Sequence, residues 1–210
     1  LHGLPKGTNE QDWTIQNPMG QHSIACGLDA PLNVTINGHV GFYCGGMNQH
    51  AEIVINGHAG VGVGENMMSG ILRVTGNASE SAGATGHGGL LVIHGDASSR
   101  CGISMKGIDI VVGGSVGDFS GFMAQAGRLL ICGDAGDALG DSLYEAVIYV
   151  RGQVSSFGAD AHEEPMSDAD FAAVADLLGR AAMKHDPKQF RRVASKRELY
   201  HWNADADQEY

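Results

Sequence analysis

Three features of the sequence predict an all-β fold, a right-handed parallel β-helix of about eight coils followed by a short α-helical C-terminal extension. Glycine accounts for 32 of the 210 residues, which is roughly twice its usual share of about 7%. These glycines recur at a fixed interval, and pairs of apolar residues recur between them. Because 43% of the residues are hydrophobic, the chain can build a core and must use its glycines structurally.

A glycine occurs at every nineteenth position, without a break over seven copies. The position three residues later is always Gly or Ser, and the position seven residues later is Gly in all but the last copy, so the repeat is G-x-x-[GS]-x-x-x-G. Corners of a solenoid turn sharply and stack over one another, so we expect glycine there for its positive φ angles and missing β-carbon. An earlier copy, one residue out of register, contains Gly20, Ser23 and Gly27. The seven anchor glycines are Gly38, Gly57, Gly76, Gly95, Gly114, Gly133 and Gly152.

The residues between the glycines predict the walls of this solenoid. Apolar residues stand 15 and 17 positions after each of the first six anchors, as do Ile53 and Ile55, and this period of two predicts a strand with one buried face. The first position after each anchor is polar and the second is small and apolar, as in His39 and Val40. Helix-pair repeats need about 33 residues or more, and the leucine-rich signature is missing. Hexapeptide coils would be multiples of six, so a parallel β-helix remains.

The chain divides into three segments. Residues 1–12 form an N-terminal segment, residues 13–160 the β-helix domain, and residues 161–210 a helical cap and C-terminal tail. Leu1 is not an initiator methionine, which leaves the true N-terminus open. The open edge of a solenoid would pair with other chains, so we expect the C-terminal segment to cover it.

Two helices are predicted within this cap. Ser167 and Asp170 resemble a capping box, and an apolar stripe follows to about Met183. The stretch from Lys188 to about Tyr200 is predicted to form a second, basic helix, and Asn203–Tyr210 is expected to be mobile unless a partner orders it. In the alternative interpretation, the segment docks onto an acidic partner through its basic side chains. These are Lys188, Arg191, Arg192, Lys196 and Arg197.

Composition argues against several classes of protein. With 13 basic and 24 acidic residues the formal net charge is −11, and such a surface repels the phosphates of nucleic acids. No signal peptide or long apolar run is present, so we expect a cytoplasmic protein that does not enter a membrane. The four cysteines form no C-x-x-C pair, and we expect them to be reduced and mostly packed. They are Cys26, Cys44, Cys101 and Cys132.

Two clusters invite a ligand hypothesis. His39 and His58 stand at equivalent positions of adjacent coils, where two imidazoles could hold a metal ion. The next coil offers Asn77 instead of a third ligand, so two solvent-facing histidines are the favoured interpretation. A second cluster lies in a run of turn positions, and its carboxylates would repel one another without a cation or basic partner. A partner-facing patch and an exposed corner explain it equally well, and a calcium site less well. Its members are Asp134, Asp137, Asp141 and Glu145.

Other features give no assignable catalytic, cofactor-binding or metal-binding residue. Lys106 stands in a glycine-bounded corner, where it would face an anion or a subunit interface if it were not an ordinary exposed lysine. The run Gly60–Gly64 imitates a dinucleotide fingerprint but lies inside the repeat. P-loop, H-E-x-x-H and G-x-S-x-G motifs are absent from the sequence. The residues by themselves therefore describe a rigid scaffold.

The repeat also carries a family resemblance, which covers roughly Trp13 to Asp160. It resembles the C-terminal GXGXG β-helix domain of the large subunit of glutamate synthase and a related β-helix subunit of formylmethanofuran dehydrogenase. Further stretches are similar to the glutamate-synthase-like β-helix subunit of N-methylglutamate synthase, also called methylamine–glutamate N-methyltransferase. These are Ile108–Gly114, Gly121–Gly127, Asp134–Gly140, Ser142–Ala146, Tyr149–Gly152, Gln189–Arg192 and Glu198–Trp202.

This resemblance implies a non-catalytic assembly subunit of a hetero-oligomeric enzyme. One partner would be an amidotransferase-like subunit, and another a glutamate-synthase-like subunit that carries FMN and an iron–sulfur cluster. The complex would form N-methylglutamate from methylamine and glutamate, and no cofactor would bind to this chain. One alternative is a subunit of an ordinary glutamate synthase that uses glutamine or ammonia. A less favoured alternative is an autonomous metal-binding β-helix enzyme built on His39 and His58.

Overall fold

The computed structural model describes residues 1, 3, 4 and 7–199, so the predicted tail Asn203–Tyr210 lies outside the described residues. In these residues ten strands form one sheet in the order β1-β2-β3-β4-β5-β6-β7-β8-β10-β9. The strands are β1 Asp12–Gln16, β2 Asn33–Asn37, β3 Glu52–Asn56, β4 Ile71–Val74, β5 Leu90–Ile93, β6 Lys106–Val112, β7 Ala126–Ile131, β8 Val147–Val150, β9 Ala161–Glu164 and β10 Arg191–Ser195. Between β9 and β10 lie the helix α1, Asp168–Ala181, and a 3₁₀ turn, Pro187–Gln189.

Strands β1–β8 are parallel, each paired with the next, which confirms the predicted parallel β-helix. From β2 onward the pairing follows the period of the glycines, so that Ile53 lies beside Leu72 and Leu72 beside Leu91. These side chains point inward and are fully buried. A second wall is formed by single bridges between the small apolar residues two positions after each anchor, such as Ala59 with Ala78. Both predicted ladders therefore exist.

The corner glycines serve two different purposes. The glycines seven positions after the anchors have a left-handed backbone, as Gly102 does with a φ of +70°. Among the anchors themselves, Gly38 has a positive φ but Gly95 and the other five do not. Gly95 is needed for space, since a β-carbon there would lie 2.0 Å from Asn77 Oδ1 and 2.9 Å from the Gly76 carbonyl oxygen. The expectation of positive φ is thus correct at one corner and wrong at most anchors, where close stacking excludes a side chain.

The first predicted helix is confirmed as α1. Ser167 caps it in a reciprocal capping box, in which the Ser167 hydroxyl accepts from the Asp170 backbone N–H and the Asp170 carboxylate accepts from the Ser167 N–H. The helix does not cover the end of the solenoid. It lies against the outer face of the sheet, where Val174, Leu177 and Leu178 form a second hydrophobic cluster with outward-facing residues of β5–β8.

The second predicted helix is wrong within the described part of Lys188–Tyr200. Its residues form the turn Pro187–Gln189 and the strand β10, which pairs antiparallel with β8 on one side and with β9 on the other. The exposed edge of β8 offers a full row of backbone partners, and this long-range pairing overrides the local helical signal. An antiparallel strand therefore closes the parallel stack at this end.

No helix among residues 1, 3, 4 and 7–199 has both the length and the apolar character needed to cross a bilayer.

Candidate functional site

The polar position that follows each anchor glycine forms a ladder of side-chain acceptors along the solenoid. Each side chain accepts a hydrogen bond from the backbone N–H of the equivalent residue one coil later, at 2.7–3.0 Å. Imidazole, amide, carboxylate and hydroxyl groups all serve, because each offers a lone pair. This polar ladder consists of His39, His58, Asn77, Asp96, Ser115 and Asp134, and it ends on the backbone of Gln153.

The predicted histidine pair belongs to this ladder. The rings of His39 and His58 stack with their centroids 4.9 Å apart. The Nδ1 atom of His39 accepts a hydrogen bond from the His58 N–H, and the Nδ1 atom of His58 accepts one from the Asn77 N–H. Neither Nδ1 atom is therefore open to a cation. The described residues contain no group of three or more His, Cys, Asp or Glu side chains placed to hold a metal ion. The structure brings the two histidines together as hydrogen-bond acceptors.

The side chains of the predicted acidic cluster lie around a single coil, the one that begins at Gly133, and each bonds to a separate group. Asp134 Oδ1 accepts from the Gln153 N–H at 2.7 Å, and Asp141 Oδ2 from the Ala159 N–H at 3.1 Å. Asp137 Oδ1 accepts from the Ser156 hydroxyl at 2.9 Å. Each of these carboxylates thus contacts the following coil, where an N–H or O–H group compensates it. Glu145 instead lies 3.2 Å from Arg197 in an exposed ion pair.

The cysteines are free thiols, as expected. Cys44, Cys101 and Cys132 are buried, whereas Cys26 is half-buried. Burial raises the pKa of Cys44 and of Cys101 to about 12 and that of Cys132 to about 11. A raised pKa leaves little thiolate near neutral pH, so these groups are poor nucleophiles and poor metal ligands as they stand.

A charged cluster not foreseen from the sequence ties α1 to the sheet. Asp109 on β6 accepts two hydrogen bonds from Arg128 of β7, at 2.8 and 2.6 Å, and one from Arg180 of α1 at 2.6 Å. Burial acts to raise the pKa of Asp109, but the hydrogen bonds and charges of the two arginines lower it below its ordinary value. Arg73 on β4 also donates to the Arg180 carbonyl at 2.8 Å.

A second unforeseen cluster joins the start of α1 to the closing strand. The hydroxyl of Tyr149 on β8 donates to Asp170 Oδ1 at 2.8 Å, and Arg192 of β10 lies 3.2 Å from the same oxygen. Arg192 also pairs with Glu164 of β9. Burial and the bond to Asp170 raise the pKa of Tyr149. The sequence signal for both clusters is a polar or charged residue at an outward-facing strand position, namely Asp109, Arg128 and Tyr149, among apolar neighbours in the same strands.

The basic residues of the last segment serve mostly within the chain. Arg191 pairs with Glu163 at 3.0 Å and also donates to the Gly152 carbonyl, and Arg197 pairs with Glu145. Lys188, Lys196 and the other candidate lysine, Lys106, are exposed. The predicted basic face therefore does not exist as a helix surface.

A cleft of about 400 Å³ opens beside β8, β9 and β10. Its charged groups compensate one another, since His162 Nε2 lies 3.4 Å from Glu164 Oε1, and Glu164 also pairs with Arg192. His162 Nδ1 lies 3.1 Å from the Ala194 carbonyl oxygen, which further fixes the ring. The other lining residues are Tyr144, Glu145, Ala146, Val147, Ser195, Lys196 and Arg197. In the described residues these groups fix the strand ends and form no recognisable catalytic set.

The fold and these clusters define a parallel β-solenoid whose polar groups are used mainly to hold its coils, strands and helix together. No protein-family model matches the chain. The chain is 52% identical over 206 residues to Protein GlxC of Rhizobium meliloti (strain 1021), an alignment that covers 98% of this chain and 90% of that relative. The chain belongs to the family of Protein GlxC.

Proposed function

We propose that this protein is the assembly subunit of a glutamate-synthase-like complex, namely an N-methylglutamate synthase that forms N-methylglutamate from methylamine and glutamate with release of ammonia. The observation that carries the proposal is the solenoid with its regular glycine period, because that repeat resembles the β-helix domain of the glutamate synthase large subunit. Membership in the family of Protein GlxC over 98% of the chain is consistent with it.

In this proposal the chemistry belongs to two partner subunits. An amidotransferase-like subunit would handle the nitrogen donor, and a glutamate-synthase-like subunit would carry FMN and an iron–sulfur cluster. The solenoid would hold them in place in the cytoplasm. A stiff rod suits this task, because its neighbouring coils are linked by two strand ladders and by the polar ladder.

Co-expression with the two proposed partner subunits tests the assembly role. We expect the three chains to purify as one complex, with the flavin and iron–sulfur absorption in the fractions that contain the glutamate-synthase-like partner. A chain that migrates separately from both partners at micromolar concentrations would overturn the proposal. Elemental analysis of the isolated chain addresses the metal-enzyme alternative, for which bound metal at one equivalent or more would be required.

The nitrogen donor separates the two glutamate-synthase interpretations. The purified complex should form N-methylglutamate when supplied with glutamate and methylamine. If it instead makes glutamate from 2-oxoglutarate with glutamine or ammonia, the chain is a subunit of an ordinary glutamate synthase. Mass spectrometry of the product distinguishes these outcomes, since N-methylglutamate carries one methylene more than glutamate.

A further inference from the structure

One surface of the solenoid exposes side chains five and nine positions after the anchor glycines. We call it the turn face, and it runs over the five coils that begin at Gly38, Gly57, Gly76, Gly95 and Gly114. Both positions have a left-handed backbone in every one of these coils. Because the coils stack at ~4.8 Å, equivalent side chains of this face form two straight columns along the rod.

The turn face carries two apolar pairs, one at each end. Tyr43 and Met47 form the first pair, and Phe119 and Met123 the second, with exposed fractions between 42% and 48%. The pairs occupy the same two positions four coils apart, which separates them by ~19 Å. The three coils between them carry small or polar residues at these positions. They are Gly62, Asn66, Ser81, Thr85, Arg100 and Ser104.

A shallow cavity adjoins each apolar pair. The first, of about 280 Å³, lies between Tyr43, Met47 and Glu65. The second, of about 260 Å³, lies beside Met123 and is also lined by Tyr144. Both are lined mainly by apolar surface, so each could receive an apolar side chain from another molecule.

The arrangement allows a two-fold axis that lies in the plane of the turn face, perpendicular to the rod and level with the coil that begins at Gly76. The coils of Gly38 and Gly114 lie two coils away on either side of this level, and the coils of Gly57 and Gly95 lie one coil away. Rotation about this axis exchanges the two ends of the rod, turns the face toward its copy and leaves each column opposite itself. It would therefore place Tyr43 against Phe119 and Met47 against Met123 of a second, antiparallel copy.

The same two-fold rotation also brings opposite charges of the turn face together. Arg100 and Gly62 stand in the same column, one coil away from the axis on either side, so the operation places Arg100 opposite Gly62 of the other copy. The Glu65 carboxylate lies beside Gly62, since a β-carbon on Gly62 would lie 2.8 Å from Glu65 Oε2. Within the part of the chain that the structure describes, neither Arg100 nor Glu65 forms an ion pair. Arg100 is exposed and Glu65 half-buried. The operation thus supplies each of them with an opposite charge.

We propose that the turn face binds a second copy of this chain in an antiparallel, two-fold dimer. Apolar contacts between Tyr43 and Phe119 and between Met47 and Met123 form two equivalent ends, and two Arg100–Glu65 pairs lie between them. A purely basic partner fits this face less well, because Arg100 would then meet a like charge. The proposal stands independently of the assembly function and of the nitrogen donor.

A charge exchange tests the dimer. We expect the isolated full-length chain to have twice its 21.9 kDa mass in analytical ultracentrifugation. Arg100→Glu and Glu65→Arg should each raise the dimer dissociation constant by roughly tenfold or more, because each creates like-charge contacts across the axis. The double variant should restore dimerisation, since the operation again pairs opposite charges.

Glu52→Arg is the matched control, because Glu52 is exposed on β3, outside the turn face. It changes the net charge as Glu65→Arg does and should leave the dimer intact. Thermal melting by circular dichroism verifies that each variant is folded. A monomeric parent chain would overturn the proposal. Single variants that dimerise normally would also overturn it, as would single variants that lose only their binding to a different protein. A folded double variant that does not recover dimerisation would do the same.

Discussion

Each polar side chain of the ladder suits its position because it offers a hydrogen-bond acceptor to the next coil. The polar ladder accepts His, Asn, Asp and Ser at equivalent positions because each provides one acceptor for one backbone N–H. This explains why His39 and His58 look like paired metal ligands in the sequence although the structure uses their Nδ1 atoms otherwise. A periodic polar residue in a solenoid is best compared with its whole column before it is considered a ligand.

Replacement of Gly95 by valine should destabilise the solenoid severely. The new β-carbon would lie 2.0 Å from Asn77 Oδ1 and 3.0 Å from the Gly76 carbonyl carbon, so the coils would have to separate. We expect a loss of several degrees in melting temperature or failure to fold, as judged by circular dichroism.

Gly179→Ala is the matched control for the preceding substitution. Gly179 lies in α1, and a β-carbon there would meet nothing within 4 Å. Because alanine restricts the unfolded chain and favours a helix, this change should stabilise the protein by about 0.5–1 kcal/mol. Equal destabilisation by both variants would show that the stacking contact at Gly95 is not the cause.

The four cysteines should separate into two classes toward a thiol reagent. Burial raises the pKa of Cys44 and Cys101 to about 12 and of Cys132 to about 11, while Cys26 is half-buried. Burial and the Glu65 charge also raise the pKa of Cys26, so access of the reagent is what distinguishes it. At pH 8 we expect Cys26 to react first with Ellman's reagent and the three buried thiols to react only after unfolding in guanidinium. Fast reaction of a second thiol in the native chain would contradict the described packing.

Among the helices and strands, the sequence predicts those elements that local interactions stabilise. The start of α1 could be found from the sequence because Ser167 and Asp170 satisfy each other within one turn. Strand β10 could not, since its conformation depends on pairing with β8 and β9, which lie far earlier in the chain. The basic residues around it suggested a helix surface, whereas their charges are matched by acidic residues of neighbouring strands.

The sequence contains a signal for the position of α1, in the outward-facing residues of the strands, although the glycine repeat draws attention away from it. Outward-facing strand positions are apolar in the later coils, with Val92, Val111 and Leu130 buried beneath the helix. In an earlier coil the equivalent position is Arg73, which is only half-buried. A strand buried on both faces requires a covering element. The side of the rod that α1 covers can therefore be predicted from these residues. The ion pairs that hold α1 there are evident only in the folded structure.

Replacement of Asp109 by asparagine should loosen α1. The carboxylate receives hydrogen bonds from Arg128 and Arg180, and its loss should cost roughly 1.5–3 kcal/mol near neutral pH, measured by urea unfolding. Asp109 has a lowered pKa in the folded chain, so its stabilisation is complete above its ordinary value of 3.8 and is lost as the pH falls further.

The difference in unfolding free energy between Asp109→Asn and the parent should therefore shrink below pH 3.8. Asp168→Asn provides the comparison, since Asp168 lies in the first turn of the same helix and outside the Asp109 cluster. A difference that persists unchanged in acid would contradict the role of the ionised carboxylate.

The whole molecule behaves as a stack in which most coils contact only their neighbours. Its two ends differ: at one end β10 and β9 continue the sheet in antiparallel orientation, and at the other β1 pairs only with β2 among the described strands. The turn face lies along the side of the stack. Interactions through that face and interactions through the ends are therefore separable by mutation.

Removal of one whole coil should leave a foldable protein. Deletion of residues 57–75 joins Asn56 to Gly76 and brings the His39 acceptor to the Asn77 N–H, so both strand ladders and the polar ladder stay continuous. A deletion that is one residue shorter, 57–74, would leave Thr75 as an extra residue that has to bulge beside the Gly76 corner. We expect cooperative melting from both variants, with the lower melting temperature in the second. Equal melting temperatures would contradict the role of the coil period.

The polar ladder thus sets a preferred unit of length for this protein. Every rung joins one coil to the same position of the next, so the rod between Gly38 and Gln153 lengthens or shortens most readily by whole coils. Other lengths occur where the wall bulges or at the end of the stack, as in the step of 21 residues between the paired Asp12 and Asn33. Gene duplications or deletions that span a whole coil would preserve the molecule, so related proteins should differ in length mostly by multiples of one coil.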